Sequence, residues 1–216
     1  MVVLLVIIGF VFYSKPVNHQ EEDKIMLEKP IQSAQGRKVA MILAFEKFKD
    51  EEYFIPREIL EKAGIQISVV SSLSGLARGV DGGEAQVDVL LNQLEAEEYD
   101  GVIFVGGPGA FGYLDDSEAH RVAQAAVRAD KVLGAICIGP AILAKAGVLA
   151  GKKATVWSSH LDKSAIKILE ENGALYQDKD VVVDGRIITA SGPQAAEKFG
   201  QAMVQALTQH QNLYPK

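Results

Sequence analysis

The sequence predicts an α/β domain: a mostly parallel sheet covered by helices on both faces. Three observations carry that prediction. From Arg37 onward, apolar runs of strand length alternate with helix-forming segments. The strand-like runs are continuously apolar instead of alternating, as expected for strands buried on both faces. Sharp breaks or Gly-rich turns follow several of them, at the carboxyl ends where sites form in such sheets.

The elements follow in order. Lys38 to Phe45 (KVAMILAF) is the first strand, and Asp50 to Ala63 is helical, closed by Gly64 as a C-terminal cap. Ile65 to Ser71 is the second strand, and the Gly-rich stretch Ser74 to Gly83 reads as a hairpin or excursion. Residues 87–98 fit either a short strand or a helix. Gly101 to Val105 is a buried strand ending in the turn Gly106-Gly107-Pro108-Gly109. Asp116 caps a helix that runs to about Ala129, and Val132 to Ile136 is the next strand. Ala141 to Ala146 is helix-forming, Gly151 to Trp157 strand-like, and Asp162 to Asn172 helical. Val181 to Thr189 is a hairpin turning at Asp184-Gly185, and a last helix runs from Pro193 to about Thr208.

Composition bounds the function. At 216 residues, 48% of them hydrophobic and 23% charged, the chain is long enough for one well-cored domain. A net charge of −6, a pI near 5.3 and no basic run exclude a nucleic-acid partner, because nothing would neutralise phosphates. One cysteine rules out an intramolecular disulfide framework and a Cys-rich metal site. It leaves the compartment open.

The first 13 residues, MVVLLVIIGFVFY, carry no charged side chain. They are short against the roughly 20 a spanning helix needs, and they lack a basic n-region and a small-x-small cleavage site. Three readings stand: a short signal anchor, an anchor whose start lies upstream, or a buried strand. The favoured one is membrane attachment through residues 1–13, a polar linker over 14–37 and a soluble domain over 38–216 on an unassigned side. Without an anchor the expected location is cytoplasmic.

Cys137 is the candidate nucleophile. An apolar strand ends at Ile136 and a helix-forming run begins within four residues, the pattern of a nucleophile elbow. Such a turn pushes a side chain into a cleft and aims backbone N–H groups at whatever it attacks, so a lowered thiol pKa is expected. A buried small hydrophobe is the alternative. Gly106-Gly107-Pro108-Gly109 is no phosphate loop, since neither G-x-x-x-x-G-K-[ST] nor a helix-opening G-x-G-x-x-G is present. Gly107 can instead bring a backbone N–H to a substrate oxygen, an oxyanion hole shared with the Ile138 N–H. A structural tight turn remains the other reading. Glu52 precedes the apolar run Tyr53-Phe54-Ile55-Pro56, and a desolvated carboxyl there keeps its proton and can hydrogen-bond a thiolate. Of four histidines only His160, just past the strand ending at Trp157, falls at a carboxyl strand end, while His120 reads as exposed on a helix turn. A Cys-His-acid hydrolase is thus poorly supported.

These segments resemble the ThiJ/PfpI (DJ-1-like) family of the class I glutamine-amidotransferase-like superfamily, over nearly all of residues 38–208. The resemblance rests on Glu52…Ile55-Pro56, Ala63-Gly64-Ile65, Gly106-Gly107, Ala135-Ile136-Cys137-Ile138-Gly139-Pro140 with Gly147, and Asp184-Gly185…Thr189…Gly192-Pro193. It implies a flavodoxin-like sandwich, commonly a homodimer. It also implies Cys137 as reactive cysteine, Glu52 as its protonated partner and Gly107 with Ile138 as backbone donors, with His160 a looser match. The implied chemistry is glyoxalase- or deglycase-like, on small reactive carbonyls and with no cofactor or metal. A redox sensor or chaperone using the same cysteine is the alternative. The peptidase-like branch carries His directly after the cysteine; Ile138 stands there in this chain, which argues against proteolysis.

Overall fold

The computed structural model describes residues 34–209. In chain order the elements are β1 (Lys38–Ile42), β2 (Glu46–Phe48), α1 (Asp50–Lys62), β3 (Gln66–Ser71), β4 (Leu76–Gly79), β5 (Glu84–Gln86), β6 (Val89–Leu90) and β7 (Gly101–Phe104). There follow α2 (Ser117–Arg128), β8 (Val132–Ile136), α3 (Gly139–Lys145), β9 (Lys153–Ala154), α4 (Ser164–Glu171), β10 (Leu175–Tyr176), β11 (Val181–Asp184), β12 (Ile187–Ala190) and α5 (Ala196–Gln209).

One seven-stranded sheet, ordered β11-β12-β8-β7-β1-β3-β6, forms the middle layer. All neighbours in it are parallel except the β11–β12 hairpin, which turns at Asp184-Gly185 with Gly185 at φ +62°. Its five central strands, counted along the chain, lie in the order 2-1-3-4-5, the flavodoxin-like arrangement. Because these strands are apolar on both sides, each face builds its own core. Ala40, Ile42, Val102, Phe104 and Leu133 pack with residues of α2, α3 and α4 on one face. Val39, Met41, Ile103, Val132 and Ile136 pack with Tyr53 and Leu60 of α1 and with Phe199 and Met203 of α5 on the other. Each of the Val, Leu, Ile, Met and Phe side chains among these contributes roughly 1.5–3 kcal/mol when fully buried.

Two expectations are corrected and one left open is resolved. The first strand ends at Ile42, because Lys47 takes φ +62° and the chain turns aside to form β2, which pairs with β4. The ambiguous 87–98 stretch holds only the two-residue β6 followed by short 3-10 turns. Likewise Gly151–Trp157 contributes just two strand residues before running on extended. The Ser74–Gly83 excursion belongs to the antiparallel β4–β5 hairpin. Asp116 caps α2 as expected, its carboxylate accepting the Ala119 N–H at 2.8 Å.

The apolar 1–13 segment and the linker up to residue 33 lie outside the described residues. At the start of the described chain Ala34 is buried and donates its N–H to the Ala63 carbonyl, while Arg37 pairs with Asp100 at 2.5 Å. Among the described residues no helix is long and apolar enough to cross a membrane.

Candidate active site

Cys137 is the first residue after β8 and takes φ +62°, a left-handed conformation that disfavours a residue carrying Cβ. Such strain costs about 1–3 kcal/mol and persists only where the surroundings impose it. Two backbone hydrogen bonds impose it here. The Cys137 N–H donates to the Ala190 carbonyl at the end of β12, and its carbonyl accepts the Trp157 N–H, both at 2.9 Å. The thiol is left half-buried at the carboxyl edge of the sheet.

Glu52 reaches the same spot from the first turn of α1. Its side chain is fully buried, yet neither carboxyl oxygen has a hydrogen-bond partner of good geometry. Gly106, just beyond β7, is where the two groups converge. A Cβ on Gly106 would lie 2.5 Å from both the Cys137 Cβ and the Glu52 Oε2, and 2.8 Å from the Ile136 carbonyl. Those two atoms are therefore within twice that distance of each other, and only glycine leaves room between them. Gly107 takes φ +101°, and a Cβ there would meet the Lys49 amide nitrogen at 2.4 Å. The Lys49 N–H donates to the Gly106 carbonyl at 3.2 Å, tying the glycine turn to the start of α1.

Burial dominates the electrostatics. It raises Glu52 to about 7, against the pull of the Cys137 thiol and the Gly106 N–H, so both of its protonation states are accessible near neutrality. The expected lowering of the Cys137 pKa is not found. Burial first, then the Glu52 carboxylate, pushes the thiol up to about 12. The Gly107 and Ile138 N–H groups do act on the sulfur and favour thiolate, but α3 has only seven residues and their pull loses to desolvation. Sulfur becomes nucleophilic here when its proton has somewhere to go, and Glu52 is the group at hand.

Residues 37–206 match the DJ-1/PfpI family. The chain belongs to the DJ-1/PfpI family. Similar members include an uncharacterized protein of Methanocaldococcus jannaschii, 36% identical over 177 residues that span 82% of this chain and 85% of that one. A glutathione-independent glyoxalase of Caenorhabditis elegans is 26% identical, covering 81% of this chain and 90% of its own length. The deglycase PfpI of Pyrococcus furiosus is 28% identical, covering 71% and 89%. Among solved structures, a ThiJ/PfpI domain protein from Brachyspira murdochii superposes with a TM-score of 0.77 at 30% identity, over 81% of this chain and 98% of that one.

Within this DJ-1/PfpI fold, the sequence-derived candidates divide. Glu52, Gly107 and Ile138 all act on Cys137. His160 does not join them: it is exposed, three residues beyond Trp157, and hydrogen-bonds neither Cys137 nor Glu52. His120 is half-buried, its ring nitrogen 2.8 Å from the Leu114 carbonyl, and not on an exposed turn as read from the sequence. Two residues escaped sequence reasoning. Trp157, the only tryptophan, touches Cys137 through its backbone; its place at the end of a strand-like run was the available signal. Asp50 stands two residues before Glu52 and is nearly as buried, but its oxygens accept the Asp81 and Gly83 N–H groups at 2.9 and 2.6 Å.

Proposed function

We propose that this protein is a cysteine-dependent, cofactor-free enzyme acting on small reactive carbonyls, in the manner of a glyoxalase or deglycase. The observation that carries the reading is a fully buried carboxyl with no well-formed hydrogen bond, set against a half-buried thiol on a strained backbone. Glyoxalase and deglycase relatives at modest identity support it.

Methylglyoxal would pass through a hemithioacetal and a thioester on Cys137. Ionised Glu52 takes the thiol proton while the sulfur adds to the aldehyde carbon, and the Gly107 and Ile138 N–H groups receive the developing alkoxide. Glu52 returns the proton to that oxygen, giving a hemithioacetal. The carboxylate then removes the hydrogen from the former aldehyde carbon and delivers it to the neighbouring carbon, while the hemithioacetal hydroxyl proton passes to the neighbouring carbonyl oxygen, leaving a thioester of lactate. Water hydrolyses the thioester, so methylglyoxal and water become lactate and the thiol is restored.

The test is lactate formation by the purified protein. Production that disappears in Cys137→Ser is the expected result; production equal to that of Cys137→Ser would sink the proposal. One feature favours a second reading, a peroxide sensor: the same unpartnered carboxyl, when protonated, can donate to an oxidised sulfur. Selective oxidation of Cys137 without carbonyl turnover, read by intact mass, would support that alternative.

A further inference from the structure

From Lys153 to Trp157 the chain runs beside β12 toward Cys137 as an extended segment, and its two edges are used differently. On the outer edge the carbonyls of Lys152 and Ala154 accept the N–H groups of Leu175 and Gln177 at 2.7 and 2.8 Å, an ordinary parallel pairing with β10. On the inner edge the alternate residues Lys153, Thr155 and Trp157 present their N–H groups to one side, following the two-residue repeat of an extended chain. Each finds a different acceptor. Lys153 donates to the Asp184 carboxylate, Thr155 to the Thr189 hydroxyl and Trp157 to the Cys137 carbonyl, all at 2.9 Å. Side chains serve at the first two because β12 is already paired on both edges, with β8 and β11, and has no ladder left to offer.

Thr189 closes a ring around the cysteine. It and Ala190 are neighbours on β12: the Ala190 carbonyl accepts the Cys137 N–H, and the Thr189 hydroxyl holds the segment whose Trp157 N–H reaches the Cys137 carbonyl. Both peptide groups flanking the Cys137 Cα are fixed in this way, and with them its φ of +62°. Thr189 and Thr155 are fully buried, so bulk water has no access to stand in for the hydroxyl. The Asp184 tie, by contrast, is exposed and is the one farthest along the segment from Trp157.

We propose that Thr189 is the positioning residue of the thiol, its hydroxyl keeping the Trp157 N–H on the Cys137 carbonyl and so holding Cys137 in its left-handed turn. That turn brings the Cys137 Cβ and the Glu52 carboxyl against the same glycine, Gly106. Without the hydroxyl the Thr155 N–H is stranded and the segment detaches. Cys137 is then free to return to an unstrained φ, which carries the sulfur away from Glu52 and toward water. The inference rests on Cys137 as the reactive group of the function proposed above, but its main test needs no carbonyl turnover.

Cys137 is the only cysteine, so iodoacetamide labelling reads it alone. Thr189→Val nearly keeps the shape and removes the acceptor. In that folded variant Cys137 is expected to be alkylated about tenfold faster than in wild type at pH 8, since a sulfur released from burial and from Glu52 ionises more readily. Thr189→Ser keeps a hydroxyl and is expected to return the rate to within about twofold of wild type. Asp184→Ala removes only the exposed tie and is expected to lower the unfolding midpoint in urea while leaving the labelling rate unchanged. A Thr189→Val rate at or below that of wild type overturns the proposal. So does a Thr189→Ser rate as high as that of Thr189→Val, or an equal acceleration by Asp184→Ala, which would mean general loosening. Where Thr189→Val does not fold, Thr189→Ala removes the same acceptor and is read against the same limits. In the kinetic arm, kcat for lactate formation is expected to fall about tenfold in Thr189→Val at unchanged KM and to recover in Thr189→Ser. A kcat that stays at the wild-type value in Thr189→Val overturns the positioning role. If the wild type forms no lactate, the carbonyl reading fails and the labelling rates alone decide the role of Thr189.

Discussion

Asp50 and Glu52 sit two residues apart in the first turn of α1, both buried, and the fold treats them oppositely. Asp50 accepts two backbone N–H groups from the turn between β4 and β5, and Gly79 and Gly83 are glycines because a Cβ on either would fall within 2.5 Å of its carboxylate. Every interaction it makes is spent on holding that turn. Glu52 is given no such partner. It is fully buried, neither oxygen makes a well-formed hydrogen bond, and the glycine that clears space for it, Gly106, faces Cys137 instead of a structural loop. A satisfied buried carboxylate stabilises a fold; an unsatisfied one costs stability and is retained where its proton is needed.

Glu52→Gln tests this difference most directly, since it keeps the shape and removes the titrating proton. Lactate formation should fall by about 10²–10⁴-fold, the usual contribution of a general acid–base. Retained turnover would return Glu52 to the same structural class as Asp50. The Cys137 thiol should respond in the other direction. Because the Glu52 carboxylate helps raise its pKa, iodoacetamide should label Cys137 severalfold faster in Glu52→Gln at pH 8. A proton acceptor that also suppresses the resting thiolate predicts this split between faster labelling and slower turnover.

Asp50→Ala should act on stability instead. It leaves the Asp81 and Gly83 N–H groups without an acceptor, at a cost of about 2–4 kcal/mol in urea unfolding. The pH midpoint of Cys137 labelling should stay where it is in the folded protein. A shifted midpoint would mean that the clamp also positions Glu52.

Linkage gives a further contrast. The folded pKa of Glu52 is raised from 4.5 to about 7, so the native state binds the extra proton. Its contribution to stability is therefore fully present below pH 4.5 and is lost as pH rises to 7, by about 3 kcal/mol if burial acts undiminished. Wild-type unfolding free energy should decline across that window relative to Glu52→Gln; parallel curves would refute the assignment. The smallest effect is expected at exposed His160, where His160→Ala should change turnover by less than about twofold.

Much of the fold was legible because continuous apolar strands separated by capped helices admit few arrangements. Lys38–Ile42, Gly101–Phe104 and Val132–Ile136 are buried at nearly every position, and that pattern shows in the sequence directly. β2 was not legible, because Glu-Lys-Phe carries no strand signal and forms one only through pairing with β4. The candidate site was legible in its identities but not in its energetics. Cys137, Glu52, Gly107 and Ile138 follow from the elbow, the acidic turn and the glycine turn, all short-range features.

Local sequence was enough for the layered α/β architecture and for a cysteine on a strand-to-helix turn, since periodicity, caps and glycines act over a few residues. It took the folded chain to bring Glu52 against that cysteine and to show that the thiol pKa is raised and not lowered. The same holds for Trp157, which flanks the cysteine, and for His160, which does not. Burial and hydrogen-bond partners come from segments distant along the chain, and the desolvation that sets a pKa exists only once those segments have closed around the group.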